Sequence, residues 1–211
     1  MPAQLSPSSA RAHPRERLLT TAGQLFYTEG IRAIGVDRLV SEANVTRATF
    51  YRHFDGKDDL VTAYLKAQDL EIRVRYEAAT QVISNPTGLL HAVAIDIAQM
   101  VCGPAFRGCP FINAAVEYPD PGSPIHRAVD EHRTWFHTTL LELFTAAGHP
   151  DPGPAARRLV LLRDGAMVGG YLGASADSIK ALNAGLEELL GLCREPRAGS
   201  SGKASQSRSP R

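Results

Sequence analysis

Residues 45–60 read VTRATFYRHFDGKDDL. Phe50 and Phe54 lie four apart, so on a helix they share one buried face. The positions around them, Thr46, Arg47, Thr49, Tyr51, Arg52 and His53, carry hydroxyl, guanidinium, phenol and imidazole groups. These are the donors that meet phosphate oxygens and base edges in a nucleic-acid groove. Thr46 is placed to cap this helix. Lys57, followed by Asp58 and Asp59, marks the opening of a further helix whose first amides form a ready anion site.

Working upstream, Arg15 to Glu29 (RERLLTTAGQLFYTE) sets Leu18, Leu19, Ala22, Leu25 and Phe26 at helical spacing, and Gly30 stands where a helix stop belongs. Val36 to Ala43 (VDRLVSEA) is a short helix with Val36, Leu39, Val40 and Ala43 on one side. Only Asn44 and Val45 separate it from the Thr46 helix. Asn is the non-glycine residue that best tolerates the left-handed conformation of a tight turn. The pattern is helix, turn, helix, in which the second helix enters the major groove.

Residues 15–60 resemble the N-terminal DNA-binding domain of the TetR family of bacterial one-component regulators. Four segments match in order: Leu25, Phe26, Glu29 and Gly30 ending the first helix, then VDRLVSEA, the turn, and TFYRHF followed by GKDDL. The resemblance implies that Thr46, Arg47 and Thr49 meet base edges or nearby phosphates, that Tyr51 and His53 contact phosphate, and that Lys57 starts a helix clamping the backbone. Two features depart from the family pattern. Gly35 replaces the usual Thr or Ser cap of the second helix, and Asn44 and Ala48 replace glycines of the turn and recognition helix; the Ala48 methyl suits a thymine methyl.

Composition agrees with a helical regulator. The chain has 211 residues, 44% of them hydrophobic, enough for one or two packed domains. No sustained alternating pattern argues for strands, so the expected fold is all-α. The first dozen residues lack an apolar core and no apolar run reaches about 18 residues. A cytoplasmic protein that neither spans nor binds a membrane is expected. Cys102, Cys109 and Cys193 have no paired-ligand spacing, so neither a metal nor a cofactor is expected. Net charge is +1 but uneven: residues 1–57 carry +3, residues 58–193 carry −6 and residues 194–211 carry +4. The acidic middle should face away from DNA.

These patterns divide the chain into a disordered arm (1–13), a helix-turn-helix DNA-binding domain (14–60), a helical effector-binding and dimerisation domain (61–194) and a disordered basic tail (195–211). Body helices are expected over 58–83, 87–102, 107–116, 124–147, 154–174 and 178–193. The second of these is apolar on nearly every side, which predicts burial in the middle of the body. A mixture of aromatic and polar residues within apolar sequence nominates Asp96, Met100, Phe106, Phe111, Asn113, His132, Trp135, Phe136, Met167 and Tyr171 as a ligand-pocket wall. Glycines at 165, 169 and 173 recur every four residues, each costing about 1 kcal/mol in a helix interior. Close approach of another helix compensates, either in packing within the chain or, as expected, in a dimer interface of Leu162, Gly165, Ala166, Gly169, Leu172 and Gly173 with Leu182, Leu186 and Leu189. The resemblance implies the same: homodimers formed through the last two helices.

An enzyme is not expected. His132 and His137 are five apart and do not share a helical face as an HExxH pair does, and the chain contains no nucleophile elbow, phosphate loop or dinucleotide fingerprint. The expected function is a ligand-responsive repressor with operator DNA, a second copy and a small-molecule effector as partners. Two alternatives stand beside it: a redox or electrophile sensor acting through Cys109 in Arg107-Gly108-Cys109-Pro110, and a DNA-organising protein without ligand.

Overall fold

The computed structural model describes residues 13–193. The expected arm, His13 apart, and the tail 195–211 lie outside the described residues. Within them the chain forms α1 (Pro14–Glu29), α2 (Val36–Glu42), α3 (Arg47–His53), α4 (Lys57–Val82), α5 (Pro86–Val101), α6 (Pro110–Glu117), α7 (Pro124–Ala146), α8 (Pro152–Tyr171) and α9 (Ser175–Leu190), with no strand among the described residues. The fold is all-α: a helix-turn-helix head followed by a helical body.

Local chemistry sets most helix ends. Proline occupies the first turn of α1, α5, α6, α7 and α8, where its missing N–H costs nothing. Thr46, Asn85 and Ser123 cap α3, α5 and α7 by accepting the N–H of Thr49, Gly88 and His126. Gly35 heads α2 without a side-chain cap. Asn44 takes φ 51, the left-handed conformation the turn requires.

The head closes around Leu18, Ala22, Phe26, Leu39, Phe50 and Phe54, all buried. Leu60, Val61 and Tyr64 at the start of α4 complete that core. In the body, α7 packs against α4, α5, α6 and α8, while α8 and α9 pair with each other.

Three body expectations change. The short helix begins at Pro110 rather than Arg107, since Gly108 at φ 83 places Arg107 and Gly108 in a turn before it. The eighth helix ends about three residues earlier than periodicity suggested, because Gly173 takes φ 91 and ends it after Tyr171, and the ninth runs Ser175–Leu190 rather than 178–193. Finally, α5 is not enclosed: His91, Ile95 and Gln99 form an exposed row, with Ile95 57% exposed, opposite buried Leu90, Ala94, Ile97 and Val101. Two of the three exposed residues, His91 and Gln99, are polar interruptions of the apolar pattern, and they mark the side that stays in solvent.

Candidate nucleic-acid interface and body cavity

Phe50 and Phe54 anchor α3 to the head, and this turns the opposite side of the helix outward. Thr46, Arg47, Ala48, Tyr51 and Arg52 are exposed, while Thr49, His53 and Lys57 are partly covered. The Thr46 hydroxyl lies 2.8 Å from that of Thr49 and caps the helix, so its capping role leaves only its outer surface for DNA. Arg47 Nη1 contacts Asp37 Oδ1 at 2.8 Å, with both side chains mostly exposed. Such a pair is worth little in water and exchanges readily for phosphate or a base edge. Tyr51 rests edge-on against Phe50 at 5.1 Å, which fixes the direction of its phenol. Lys57 opens α4; burial pushes its ammonium below the usual lysine range, against the pull of Glu117 and Asp58.

The turn is also held from behind. Arg17 of α1 donates to the carbonyls of Ala43 (3.2 Å) and Asn44 (3.1 Å), and Arg38 of α2 forms a forked pair with Glu29 at 2.6 and 2.7 Å. Sequence reasoning missed Arg17, whose partners are 26 and 27 residues away.

A cavity of about 400 Å³ opens in the body between α4, α5, α7 and α8. Six expected residues meet there: Asp96, Met100, His132, Trp135, Phe136 and Met167. The other four do not line it. Phe111 lies behind His132, stacked on it at 3.7 Å and 4° between planes. Phe106 packs toward Gly170, Asn113 donates to the Arg107 carbonyl at 2.9 Å, and Tyr171 is half exposed beneath the Arg107 guanidinium. Asn113 and Tyr171 instead line a separate cleft with Tyr27, Arg107 and Glu117. Ile72, Arg75 and Tyr76 of α4 and Arg163 of α8 line the cavity instead. Arg163 was legible in principle, since it falls on the buried stripe Ala156, Leu159, Arg163, Ala166 of α8.

Asp96 is not an isolated buried acid: Arg75 Nε donates to it at 3.0 Å. Arg163 reaches Asp164 at 2.7 Å and the Cys109 thiol at 3.3 Å. Cys109 is 2% exposed, whereas Cys102 is exposed. That burial withdraws Cys109 from oxidants in solvent, which weakens the redox alternative. No cluster of His, Cys, Asp and Glu suited to a metal occurs among the described residues.

Body and head interlock around α6. Tyr27 of α1 donates to the Gly108 carbonyl at 3.0 Å and accepts from Arg107 N–H at 2.9 Å. The Glu117 carboxylate accepts from the backbone of the α1–α2 loop. Tyr118 donates to Asp58 at 3.3 Å, and burial together with that carboxylate pushes its phenol up to about 12.

The expected dimer interface needs correction. Leu182, Leu186, Leu189 and Ala166 are buried in the chain's own core, so they offer nothing to a partner. A Cβ at Gly169 would collide with Ser178 of α9, so this glycine permits α8–α9 contact within one chain. Leu162 packs against Gly185 in the same way, and Gly173 serves the turn rather than a helix face. The outward row of α8 is Leu161, Gly165, Val168 and Leu172. Leu161 is 70% and Leu172 75% exposed. Exposed Ala181 and Ala184 of α9 flank this row along a shallow groove.

The sequence profile described as "Bacterial regulatory proteins, tetR family" matches residues 18–64. The crystal structure of a TetR-family transcriptional regulator from Streptomyces coelicolor is 46% identical, with a TM-score of 0.78 over 84% of this chain and 96% of that one. A putative tetr-transcriptional regulator from Streptomyces avermitilis is 27% identical, with a TM-score of 0.74 over 84% of this chain and 98% of that one. The HTH-type transcriptional regulator YjdC of Escherichia coli is 23% identical over 181 residues, 85% of this chain and 95% of its own length.

Proposed function

The chain belongs to the TetR family of bacterial transcriptional regulators, and from that premise we propose that it is a cytoplasmic repressor that binds operator DNA as a homodimer and releases it when a small, largely apolar molecule enters the body cavity. The observation that carries this reading is α4. One unbroken helix holds Lys57 at the reading head and puts Ile72, Arg75 and Tyr76 into the cavity wall. At 1.5 Å per residue Lys57 and Tyr76 lie roughly 28 Å apart along it. A ligand that shifts the cavity end of α4 therefore shifts Lys57 and, through the shared core, α3.

The second link runs through α6, whose Phe111 stacks on a cavity residue and whose Glu117 holds the α1–α2 loop. For pairing, the apolar row Leu161, Gly165, Val168 and Leu172 is the surface we assign to the partner subunit. A dimer sets two α3 helices against successive major grooves, which a single head cannot do.

The test begins with selection of bound duplexes from a random pool by the full chain. An inverted repeat with half-sites one or more helical turns apart is expected. Compounds that raise the melting temperature should then lower affinity for the selected duplex. Recovery of no common sequence would overturn operator reading, and stabilising ligands that leave DNA affinity unchanged would overturn release.

A further inference from the structure

His132 is 2% exposed and contributes to the cavity wall. Its Nδ1 lies 2.8 Å from Asp69 Oδ1, while Asp69 Oδ2 accepts from Arg73 Nε at 2.6 Å. A carboxylate held by an arginine only accepts, so the shared proton sits on Nδ1. Burial pushes the imidazolium down to about 4, with Asp69 opposing and Arg163 assisting the shift, and the ring is neutral at ordinary pH. Nε2 therefore carries a lone pair. It has no hydrogen-bond partner among the described residues, yet it is not one of the sealed-off polar atoms, as His149 Nε2 is. The parallel stack on Phe111 fixes the ring plane and with it the direction of that lone pair.

The charges in the wall are already matched. Arg163 pairs with Asp164 at 2.7 Å, and Asp96 with Arg75 at 3.0 Å. An anionic or cationic ligand would have to break one of these pairs or bury its charge without a partner. Trp135 and Phe136, with ring centroids 6.0 and 6.4 Å from that of His132, supply flat apolar surface beside the acceptor. A volume of about 400 Å³ accommodates a small fused-ring molecule.

We infer that the cavity selects a neutral aromatic molecule bearing a hydroxyl or N–H donor, which His132 Nε2 recognises as the acceptor. This rests on the reading of the cavity as the effector site. His132 is then the specificity-determining residue, and Asp69 a positioning residue that sets the tautomer.

The test is calorimetric titration of the full chain at pH 7.5 with 2-naphthol, 2-methoxynaphthalene and 2-naphthoate. The naphthol should bind at least about tenfold more tightly than the ether or the carboxylate, because either of those leaves Nε2 unpaired. In His132→Phe, which retains a ring to stack on Phe111, the preference of naphthol over ether should fall to about one. In Asp69→Asn, whose amide can donate to Nδ1 and so transfer the ring proton to Nε2, the preference should shrink or reverse. Equal binding of naphthol and ether by the unaltered chain would overturn the proposal while leaving the cavity as a ligand site, and tightest binding of naphthoate would replace it with an anion site at Arg163. Binding of none of the three probes would overturn the effector-cavity reading along with it. The ranking in the unaltered chain needs no variant, so the proposal stays testable even if His132→Phe is unstable.

Discussion

Glu117, the last residue of α6, accepts the backbone N–H of Ile31 through Oε1 at 2.9 Å. Its other oxygen accepts Arg32 N–H at 2.6 Å. The loop between α1 and α2 is thus capped by a residue 86 positions away, in the body. Hydrogen bonds to a charged group contribute about 1.5–3 kcal/mol each. Glu117 is only partly buried, so Glu117→Ala should cost about 2 kcal/mol in urea unfolding, and Glu117→Gln, which keeps two acceptor lone pairs but loses the charge, about half that. If the contact transmits the ligand signal, Glu117→Ala should also shrink the ligand-induced loss of DNA affinity. Unchanged stability and unchanged coupling in the alanine variant would remove Glu117 from the link.

On DNA, the exposed row of α3 separates reading from holding. Arg47 is mostly exposed and its ion pair with Asp37 is exchangeable, so Arg47→Ala should cost about 1–3 kcal/mol on the selected operator and relax preference at the base it meets. Tyr51→Phe and Lys57→Ala should weaken specific and scrambled duplexes about equally. Lys57→Ala should also reduce the salt slope by about one contact. Isotherms at several salt concentrations distinguish these outcomes, and unchanged affinity in all three variants would sink the α3 assignment.

The head was legible because its signals are local. Asn44 in a left-handed turn, Thr46 as a cap and Gly30 as a stop each act within a few residues of themselves. The interlock was not legible, since Tyr27 meets residues 80 and 81 positions away with no periodicity to announce them. The expected dimer set mixed inward and outward residues for another reason: Gly165 and Leu172 lie on the exposed side of α8, the leucines of α9 in the core. Leu182, Leu186 and Leu189 form a regular apolar stripe, but a period shows only that a face is buried, not whether its own chain or a second copy buries it. The outward row of α8 is just as periodic and lies on the opposite side of the helix. In the cavity, composition found the aromatic residues of α7 but overlooked α4, whose wall residues are scattered through a charged helix.

For assembly, charge on the outward row should act differently from charge in the core. Leu161→Glu and Leu172→Glu replace side chains that the single chain leaves largely in solvent, so each should keep its helical circular dichroism and melt within a few degrees of a monomeric reference. Light scattering should report a dimer for the unaltered chain and a monomer for the double variant, with weaker operator binding. Leu186→Glu, by contrast, buries an unpaired charge in the core and should unfold the body. A double variant that remains dimeric would move the interface off this face.

The pH dependence of stability should expose His132 directly. Its imidazolium is disfavoured in the fold, with a value of about 4 against 6.5 for the free side chain. Above about pH 6.5 the ring is neutral in both folded and unfolded chains and contributes no slope. As pH falls below that, the unfolded chain takes up a proton the folded chain refuses, so stability declines, and the decline ends near pH 4 where the folded ring also protonates. One proton corresponds to a slope of at most about 1.4 kcal/mol per pH unit, and the whole window to a loss on the order of 3 kcal/mol. The groups facing the ring are Asp69, Arg73 and Arg163. Work between pH 7 and pH 5 keeps clear of the ordinary carboxylate range, and the difference from His132→Phe removes the contribution of the chain's other six histidines. Urea unfolding of the DNA-free chain at pH 7, 6 and 5 should show the unaltered protein losing stability faster than His132→Phe, by about 1 kcal/mol or more at pH 5. Parallel curves would mean that the fold does not disfavour the charged ring, and an unaltered protein that gains stability relative to His132→Phe as pH falls would mean that the ring is already charged in the fold at neutral pH, which would remove the acceptor role of Nε2.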